Sequence, residues 1–316
     1  MTPPRLAIVV PCYNEQEALP ASLKTLLGLL NDMTAARAVA DDSYIMCVDD
    51  GSRDRTWQII AEAHNADRRV KGIALAHNRG HQNALLAGLE AVTDRCDISV
   101  SIDADLQDDP QAIRNMVGLY SDEHAEIVYG VRSSRESDSW FKRTSAQTFY
   151  RLQRALGVDT VYNHADYRLM SNRALHLLGE YGESNMYLRG IVPQIGLRTA
   201  TVSYPRTART AGETHYPLSK MISLSVDGIT SFTAKPMRMI FTVGLILLVL
   251  DIIVAVWVLI AHFRHETITG WSSLMLSVWF LGSLILMGLG IVGEYIGKIY
   301  IEVKRRPRFA VREEIF

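Results

Sequence analysis

The sequence predicts an α/β protein in which a mostly parallel sheet carries helices on both faces and precedes a membrane-embedded segment. Short β-rich runs alternate with helical patterns in the first part of the chain. Polar residues follow each of these runs, where the strands of a parallel sheet end. Residues 236–296 are strongly apolar, unlike the mixed composition before them. These three observations define the predicted fold class.

The predicted strands are short apolar runs bounded by turn residues. They cover residues 6–10, 44–48, 70–75 and 98–102. Helical periodicity lies between them near residues 16–30, 56–66 and 82–91. Strands separated by helices form parallel sheets, and ligands bind beyond the carboxyl ends of such strands.

Charge, cysteine content and missing motifs argue against several classes of protein. The formal net charge is −1, which is not the basic signature of a nucleic-acid-binding protein, so no nucleic-acid partner is expected. Cys12, Cys47 and Cys96 have no CxxC spacing and lie in or beside predicted strands, so we expect buried thiols. No dinucleotide-binding glycine fingerprint follows the first predicted strand, and no P-loop motif occurs in the sequence.

Two carboxylates follow the fourth predicted strand. Asp103 and Asp105 stand one residue apart, so strand alternation points both side chains to the same side. Two hard oxygen ligands at this spacing suit a divalent cation that keeps its other positions for phosphate oxygens and water. Gln107 can add a further oxygen. The alternative is a solvated turn in which Asp108 or Asp109 caps the next helix.

Polar loops also end the other three predicted strands. They are residues 11–15, 49–52 and 77–81. Since the carboxyl ends of parallel strands meet at one edge, these loops and the acidic pair share a rim. Four polar loops on one rim predict a ligand-binding site more strongly than one acidic pair does.

Two apolar segments follow the α/β part, and each is long enough to span a membrane. Residues 240–260 contain one charged side chain, Asp251, and residues 271–292 contain none. Lys and Arg are frequent after the second segment and scarce in the connector. The positive-inside bias therefore predicts a multi-pass inner or plasma membrane protein whose α/β domain and tail are cytosolic.

The predicted organisation has four parts. They are a cytosolic α/β domain at 1–216, an interfacial amphipathic helix at 217–235, two transmembrane helices at about 238–262 and 270–294 within 236–296, and a basic cytosolic tail at 297–316. The interfacial assignment of 217–235 competes with a core helix of the soluble domain.

Several motifs resemble those of known sugar-transferring enzymes. Residues 11–15, 48–54 and 103–107 resemble the inverting GT-A family 2 glycosyltransferases. Later segments resemble the polyprenyl-phosphate glycosyltransferases, which include dolichol-phosphate mannose synthases and, more closely, bactoprenol glucosyltransferases. These segments are 129–132, 141–143, 165–170, 187–190 and 206–216. The resemblance covers nearly the whole chain and implies a GT-A catalytic domain.

The resemblance implies inverting transfer of a sugar, glucose by default, from a UDP-sugar to a polyprenyl phosphate such as undecaprenyl phosphate. It implies Mg²⁺ or Mn²⁺ as cofactor, action at the cytosolic membrane face, and a homo-oligomer such as a tetramer. Two alternatives stay open. One is a processive polysaccharide synthase, which would need more spans and a Q-x-x-R-W motif, and the other is a non-catalytic membrane scaffold that binds nucleotide sugars.

The resemblance also assigns roles to single residues. Nucleotide binding falls to Pro11, Tyr13, Glu15, Val48, Asp50, Asp103 and Ala104. Metal binding falls to Asp103, Asp105 and Gln107, with Asp105 also counted as catalytic. The residues assigned to binding of the lipid phosphate and the diphosphate are Arg132, Arg143, Arg209 and His215. His215 replaces the usual Lys, so we expect a weaker phosphate contact that depends on pH near neutrality.

Asp166 is the second candidate catalytic residue, and its role has two interpretations. A phosphate monoester is already anionic at neutral pH and needs no base in order to attack. We therefore expect Asp166 to orient Arg168 or a sugar hydroxyl. The alternative is purely structural pairing with Arg168.

Overall fold

The computed structural model describes residues 2–132, 164–183, 187–205 and 270–316, with isolated positions between 240 and 253. The chain separates into two units. One comprises residues 1–152, 159–215 and 306–316, and the other comprises residues 153–158 and 216–305. We call the first the α/β unit and the second the apolar unit, and describe each by itself.

The α/β unit begins with four parallel strands and the helices between them. The strands are β1 (Leu6–Cys12), β2 (Tyr44–Asp49), β3 (Val70–Leu75) and β4 (Ile98–Ser101). The helices are α1 (Leu19–Ala35), α2 (Thr56–Ala66) and α3 (His81–Val92). Strand β1 pairs in parallel with both β2 and β4, and β2 pairs in parallel with β3. The predicted mostly parallel sheet is therefore confirmed.

The second half of the sheet is mixed. Its elements are α4 (Ala112–Glu123), β5 (Ile127–Arg132), β6 (His164–Ser171), α5 (Asn172–Gly179), α6 (Leu188–Ile191) and β7 (Thr199–Tyr204). Strand β6 inserts between β4 and β5 and runs antiparallel to both. Within the described residues, the sheet order is β7-β5-β6-β4-β1-β2-β3-β8, where β8 is Val311–Ile315. The antiparallel insertion brings residues of β6 beside the carboxyl end of β4.

The hydrophobic core lies on both faces of this sheet. Every residue of β1 and β2 is buried, as expected for central strands that helices cover on both sides. Leu26, Leu30 and Met33 of α1 belong to this core. The three cysteines are buried free thiols, as predicted.

The last strand of the sheet comes from the C-terminal end of the chain. Strand β8 (Val311–Ile315) pairs antiparallel with β3. The Ala76 amide donates to the Ala310 carbonyl at 2.8 Å, and the Trp57 indole donates to Glu313 at 3.0 Å. Part of the segment predicted as a basic tail is thus an edge strand that covers β3.

The apolar unit contains one long described helix, α7 (Trp271–Lys304), of 34 residues. Its stretch Phe280–Lys304, with mean hydropathy 1.7, is the one described helix long and apolar enough to cross a membrane. The helix runs beyond the predicted end at 294. The predicted helix at 217–235 and most of the first predicted span lie outside the described residues, so the two-helix hairpin stays a prediction.

Candidate active site

The loops after β1 and β2 are joined by hydrogen bonds at the carboxyl edge of the sheet. The Asn14 amide donates to the Ser52 hydroxyl at 3.0 Å, and the Arg53 amide donates to the Asn14 side-chain oxygen at 2.9 Å. The Glu15 amide donates to the Thr56 hydroxyl at 2.9 Å. Asn14 has φ of 56°, a left-handed conformation that Asn tolerates better than most residues. The two loops therefore form one connected segment of the rim.

Asp50 ties the second loop to the third. Its carboxylate accepts the amides of Arg79 at 2.7 Å and Gly80 at 2.9 Å. Burial raises the pKa of Asp50, and these two amides oppose that effect. A carboxylate has about four lone-pair directions, so these bonds leave Asp50 able to accept from a base N–H as well.

At Gly51 the second loop approaches the backbone of the third loop closely. Its φ is +66°, and a Cβ atom there would stand 2.7 Å from the Asn78 amide nitrogen and 2.7 Å from the His77 carbonyl carbon. Both the backbone conformation and the lack of space require glycine.

The acidic pair lies at the end of β4. Asp103 is 47% exposed, and Asp105 is exposed. Between them Ala104 is buried, and its carbonyl accepts the Ser22 hydroxyl at 2.6 Å, which fixes the turn. The Gln107 side-chain amide donates to Asp105. Gln107 therefore lies beside the pair, and its role as an oxygen ligand of a metal stays a prediction.

The electrostatics of this pair suit a cation. Partial burial raises the pKa of Asp103, and the nearby His81 lowers it. The carboxylates of Asp166, Asp108 and Asp105 raise this pKa further. In the described part of the chain, no three His, Cys, Asp or Glu side chains group as a metal site. A cation at the pair would therefore complete its coordination with amide, phosphate or water oxygens.

Asp166 is the centre of a buried polar network. Its carboxylate accepts Arg168 at 2.6 Å, Arg189 at 3.2 and 3.0 Å, and Gln82 at 3.0 Å. Burial by itself raises the pKa of Asp166, but Arg168 and Arg189 outweigh it and hold the pKa well below the usual range. Such a carboxylate is a poor proton acceptor, which favours the orienting and structural interpretations over a general base.

The network also fixes the start of α6. Arg168 donates to the Leu188 carbonyl at 3.2 Å, and the Leu188 amide donates to the Gln82 side-chain oxygen at 3.2 Å. His81 Nε2 lies 3.6 Å from Asp103 and 3.8 Å from Asp166, so it bridges the acidic pair and the network. The sequence analysis placed His81 in the third rim loop and Arg189 in the motif 187–190 but gave neither a role in the site, and it missed Gln82.

Arg132 has a specific partner. Its guanidinium donates to both oxygens of the buried Asp108, at 2.9 and 3.2 Å. Asp108 is therefore an ion-pair partner rather than a solvated helix cap. Arg143, Arg209 and His215 lie outside the described residues, so their predicted phosphate contacts stay predictions.

The remaining predicted nucleotide contacts differ in exposure. The Tyr13 ring is 43% exposed at the rim and is accessible for stacking. Pro11 and Val48 are buried neighbours in paired strands, and Ala104 is 3% exposed. These three residues can reach a nucleotide mainly through their backbone.

Comparisons with known proteins agree with this architecture. Residues 7–194 match the model of glycosyl transferase family 2. The chain belongs to that family. It is therefore a glycosyltransferase, and the predicted family and enzyme class are confirmed.

Full-length relatives extend the match beyond the family domain. This glycosyltransferase is 49% identical to the uncharacterized glycosyltransferase YkoT of Bacillus subtilis, over 99% of this chain and 93% of that protein. It is 33% identical to the bactoprenol glucosyl transferase of Shigella phage SfX, over 98% of this chain and 99% of that protein.

A solved structure shares the fold. Mannosyl-3-phosphoglycerate synthase from Rubrobacter xylanophilus aligns with a TM-score of 0.50 and 16% identity, over 75% of this chain and 74% of that chain. The mostly parallel mixed sheet with covering helices is thus an architecture that this glycosyltransferase shares with a solved synthase.

Proposed function

We propose that this glycosyltransferase transfers a sugar, glucose by default, from a UDP-sugar to a polyprenyl phosphate at the cytosolic face of a membrane, with inversion at the anomeric carbon. The observation that carries the proposal is the extent of the likeness. The family domain ends at residue 194, yet 98% of the chain matches the bactoprenol glucosyl transferase of phage SfX. The matched region therefore includes the apolar helix α7.

The proposed reaction is a direct displacement. A phosphate oxygen of the acceptor forms a bond to C1 of the sugar while the bond between C1 and the diphosphate oxygen breaks, and UDP leaves. The acceptor oxygen is already anionic, so no proton has to be removed. The low pKa of Asp166 suits this reaction, since Asp166 then keeps its charge and holds Arg168 and Arg189 in place.

The rim supplies the donor site in this proposal. Tyr13 would stack on the base, and Asp50 would accept from its N–H. Asp103, Asp105 and Gln107 would hold Mg²⁺ or Mn²⁺. A divalent cation there would stabilise the negative charge of the departing diphosphate.

Basic side chains would bind the acceptor phosphate. Arg132 is a described candidate, because guanidinium groups match phosphate oxygens and Asp108 fixes its direction. Arg143, Arg209 and His215 are proposed for the same anions. The α7 helix and a first span at about 238–262 would keep the α/β unit beside its lipid acceptor. The chains would assemble as a homo-oligomer.

The test is a lipid-dependence assay on the purified full-length protein in detergent. The protein is incubated with Mg²⁺ or Mn²⁺ and a panel of UDP- and GDP-sugars, and release of nucleoside diphosphate is measured with and without undecaprenyl phosphate. Release from a UDP-sugar that requires the lipid supports the proposal and identifies the sugar. Lipid-independent release, or chain growth beyond one sugar, would contradict it.

A matched pair of variants tests the metal site within the same assay. We expect Asp105→Asn to lower turnover by at least about a hundredfold, since preorganised charge at the leaving group contributes several kcal/mol. Asp109→Asn is the control, because Asp109 lies in the same segment but its side chain caps the Gln111 amide at 2.9 Å. Wild-type turnover in Asp105→Asn with metal present would overturn the assignment.

A further inference from the structure

The C-terminal strand contains an irregularity next to the rim. Along the ladder with β3, Ala74 pairs with Glu313 and Leu75 pairs with Val311, so Arg312 is an extra residue without a partner position. This is a β-bulge, a feature that redirects a side chain and is frequent beside active sites. The bulge lies at the end of β3 that faces the rim loops.

Arg312 reaches a buried carboxylate of the rim. One of its terminal nitrogens lies 3.9 Å from Oδ2 of Asp49, the last residue of β2. The Asp49 side chain is only 1% exposed, while that of Arg312 is 48% exposed. Oδ2 of Asp49 has no hydrogen-bond partner among the described residues. Arg312 is thus the cation that faces this buried oxygen.

The other oxygen of Asp49 is part of the donor rim. Oδ1 accepts the Ser52 amide at 3.1 Å, and the Ser52 hydroxyl accepts the Asn14 amide at 3.0 Å. The next residue, Asp50, holds the third loop through Arg79 and Gly80. A displacement of the Asp49 carboxylate would therefore move three of the four loops that form the rim.

We propose that Arg312 is a positioning residue for the donor nucleotide, which acts through Asp49 from the last strand of the chain. A carboxylate removed from water is destabilised unless a cation or several donors face it. Among the described residues, the Asp49 carboxylate accepts one hydrogen bond, from the Ser52 amide, and faces one cation, Arg312. The inference rests on the proposed use of a UDP-sugar, and it adds a residue that lies far outside the matched family domain, which ends at 194.

The test compares variants of two neighbouring residues of β8 in the full-length protein. Arg312→Ala removes the cation that faces Asp49. Glu313→Gln is the control, since the Glu313 side chain accepts a hydrogen bond from the Trp57 indole of α2. UDP binding in the presence of Mn²⁺ is measured by calorimetry, and KM for the sugar nucleotide and kcat are measured by diphosphate release with the lipid present.

We expect Arg312→Ala to weaken UDP binding and raise KM for the donor by roughly three- to tenfold, in keeping with a partly exposed ion pair. kcat at saturating donor and KM for the lipid should stay near wild type, and Glu313→Gln should change none of these values. Arg312→Lys should restore most of the affinity, because it retains the charge. Asp49→Asn combined with Arg312→Ala should also recover affinity, since the buried charge is then absent.

The outcomes separate this inference from the proposed function. If the wild-type protein binds UDP and Arg312→Ala matches Glu313→Gln, the inference is wrong. If Arg312→Ala lowers kcat and thermal stability without a change in UDP affinity, Arg312 is merely structural and the inference is again wrong. If the wild-type protein itself fails to bind UDP, the proposed donor is wrong. Should Arg312→Ala not fold, Arg312→Gln removes the charge and Arg312→Lys retains it. A comparison of these two variants then tests the same inference.

Discussion

Asp166 shows how this site combines stability with function at the scale of single residues. It is 7% exposed and pairs with Arg168, which is 1% exposed. A buried ion pair is weak evidence for net stabilisation, but removal of one partner leaves a charge without compensation. We therefore expect the network to select one arrangement of β4, β6 and α6 rather than to add net stability.

We expect Asp166→Asn to lower the free energy of unfolding by about 3 kcal/mol, because Arg168 would stay buried without its counter-charge. Urea unfolding of the purified protein measures the change. Asp32→Asn is the control, since its pair with Arg114 is largely exposed and contributes at most about 1 kcal/mol. Equal losses in the two variants would contradict this account of the network.

The depressed pKa of Asp166 also predicts a pH dependence with a definite sign. A carboxyl group whose native pKa is lowered stabilises the fold above its unfolded pKa, about 3.9, and this contribution is lost as the pH falls through the native value. The difference in melting temperature between wild type and Asp166→Asn should therefore be constant from pH 7 to about 5 and shrink below about pH 4. A difference that stays constant down to pH 3 would contradict the assignment.

Some site residues could be predicted from sequence and others could not. The position of Asp103 and Asp105 at the sheet edge was predictable because their spacing and their place after a strand are local features, while their metal-binding role stays a prediction. His81, Gln82 and Arg189 join Asp166 through contacts between distant parts of the chain, such as the 84-residue separation of Gln82 and Asp166. Local patterns place His81 in a rim loop and Arg189 in a motif, but they do not show that these side chains meet at Asp166.

At the scale of elements, the rim depends on close approach between loops. Gly51 is one such place, because any side chain there would meet the backbone of His77 and Asn78. We expect Gly51→Ala to cost roughly 1–3 kcal/mol in stability and to weaken UDP binding, since the loops must separate. Thermal unfolding and calorimetric UDP titration measure the two effects.

Gly118→Ala is the matched control for that substitution. Gly118 lies within α4, and a Cβ atom there would have no heavy atom within 4 Å. The same chemical change should therefore stabilise the protein by up to about 1 kcal/mol and leave UDP binding unaltered. A loss of stability in Gly118→Ala as large as that in Gly51→Ala would contradict the role of close approach.

Elements were predicted unequally for physical reasons. Strands β1 to β4 are apolar runs that end in polar loops, so their composition reveals them. Strand β6 contains Asp166 and Arg168, whose burial depends on mutual pairing rather than on hydrophobicity. Strand β8 has the sequence VREEI and is mostly exposed, so its conformation is determined by the free edge of β3.

At the scale of the whole molecule, α7 presents a long apolar surface. Leu286 is 71% exposed and lies within Phe280–Lys304. If this helix spans a membrane, Leu286→Arg should disfavour insertion by about 3 kcal/mol. The fraction that resists alkaline carbonate extraction from membranes measures the effect.

Val303→Arg is the control for the membrane prediction. Val303 is 74% exposed but lies next to the helix end at Lys304, where a long side chain can reach the interface. We expect near-normal membrane retention for this variant. Equal retention of Val303→Arg and Leu286→Arg would argue against a spanning helix.

The position of β8 has a consequence for biosynthesis. Residues 311–315 are translated after α7, yet they form the edge of a sheet whose other strands precede that helix. At about 5–20 residues per second, synthesis of the segment that contains the apolar helix takes several seconds. During this time the β3 edge of the nascent α/β unit is uncovered. An uncovered edge is prone to pairing with other chains, so slow synthesis of the segment before β8 would favour aggregation. The sheet that carries the donor rim can therefore be completed only after the apolar helix has been synthesised.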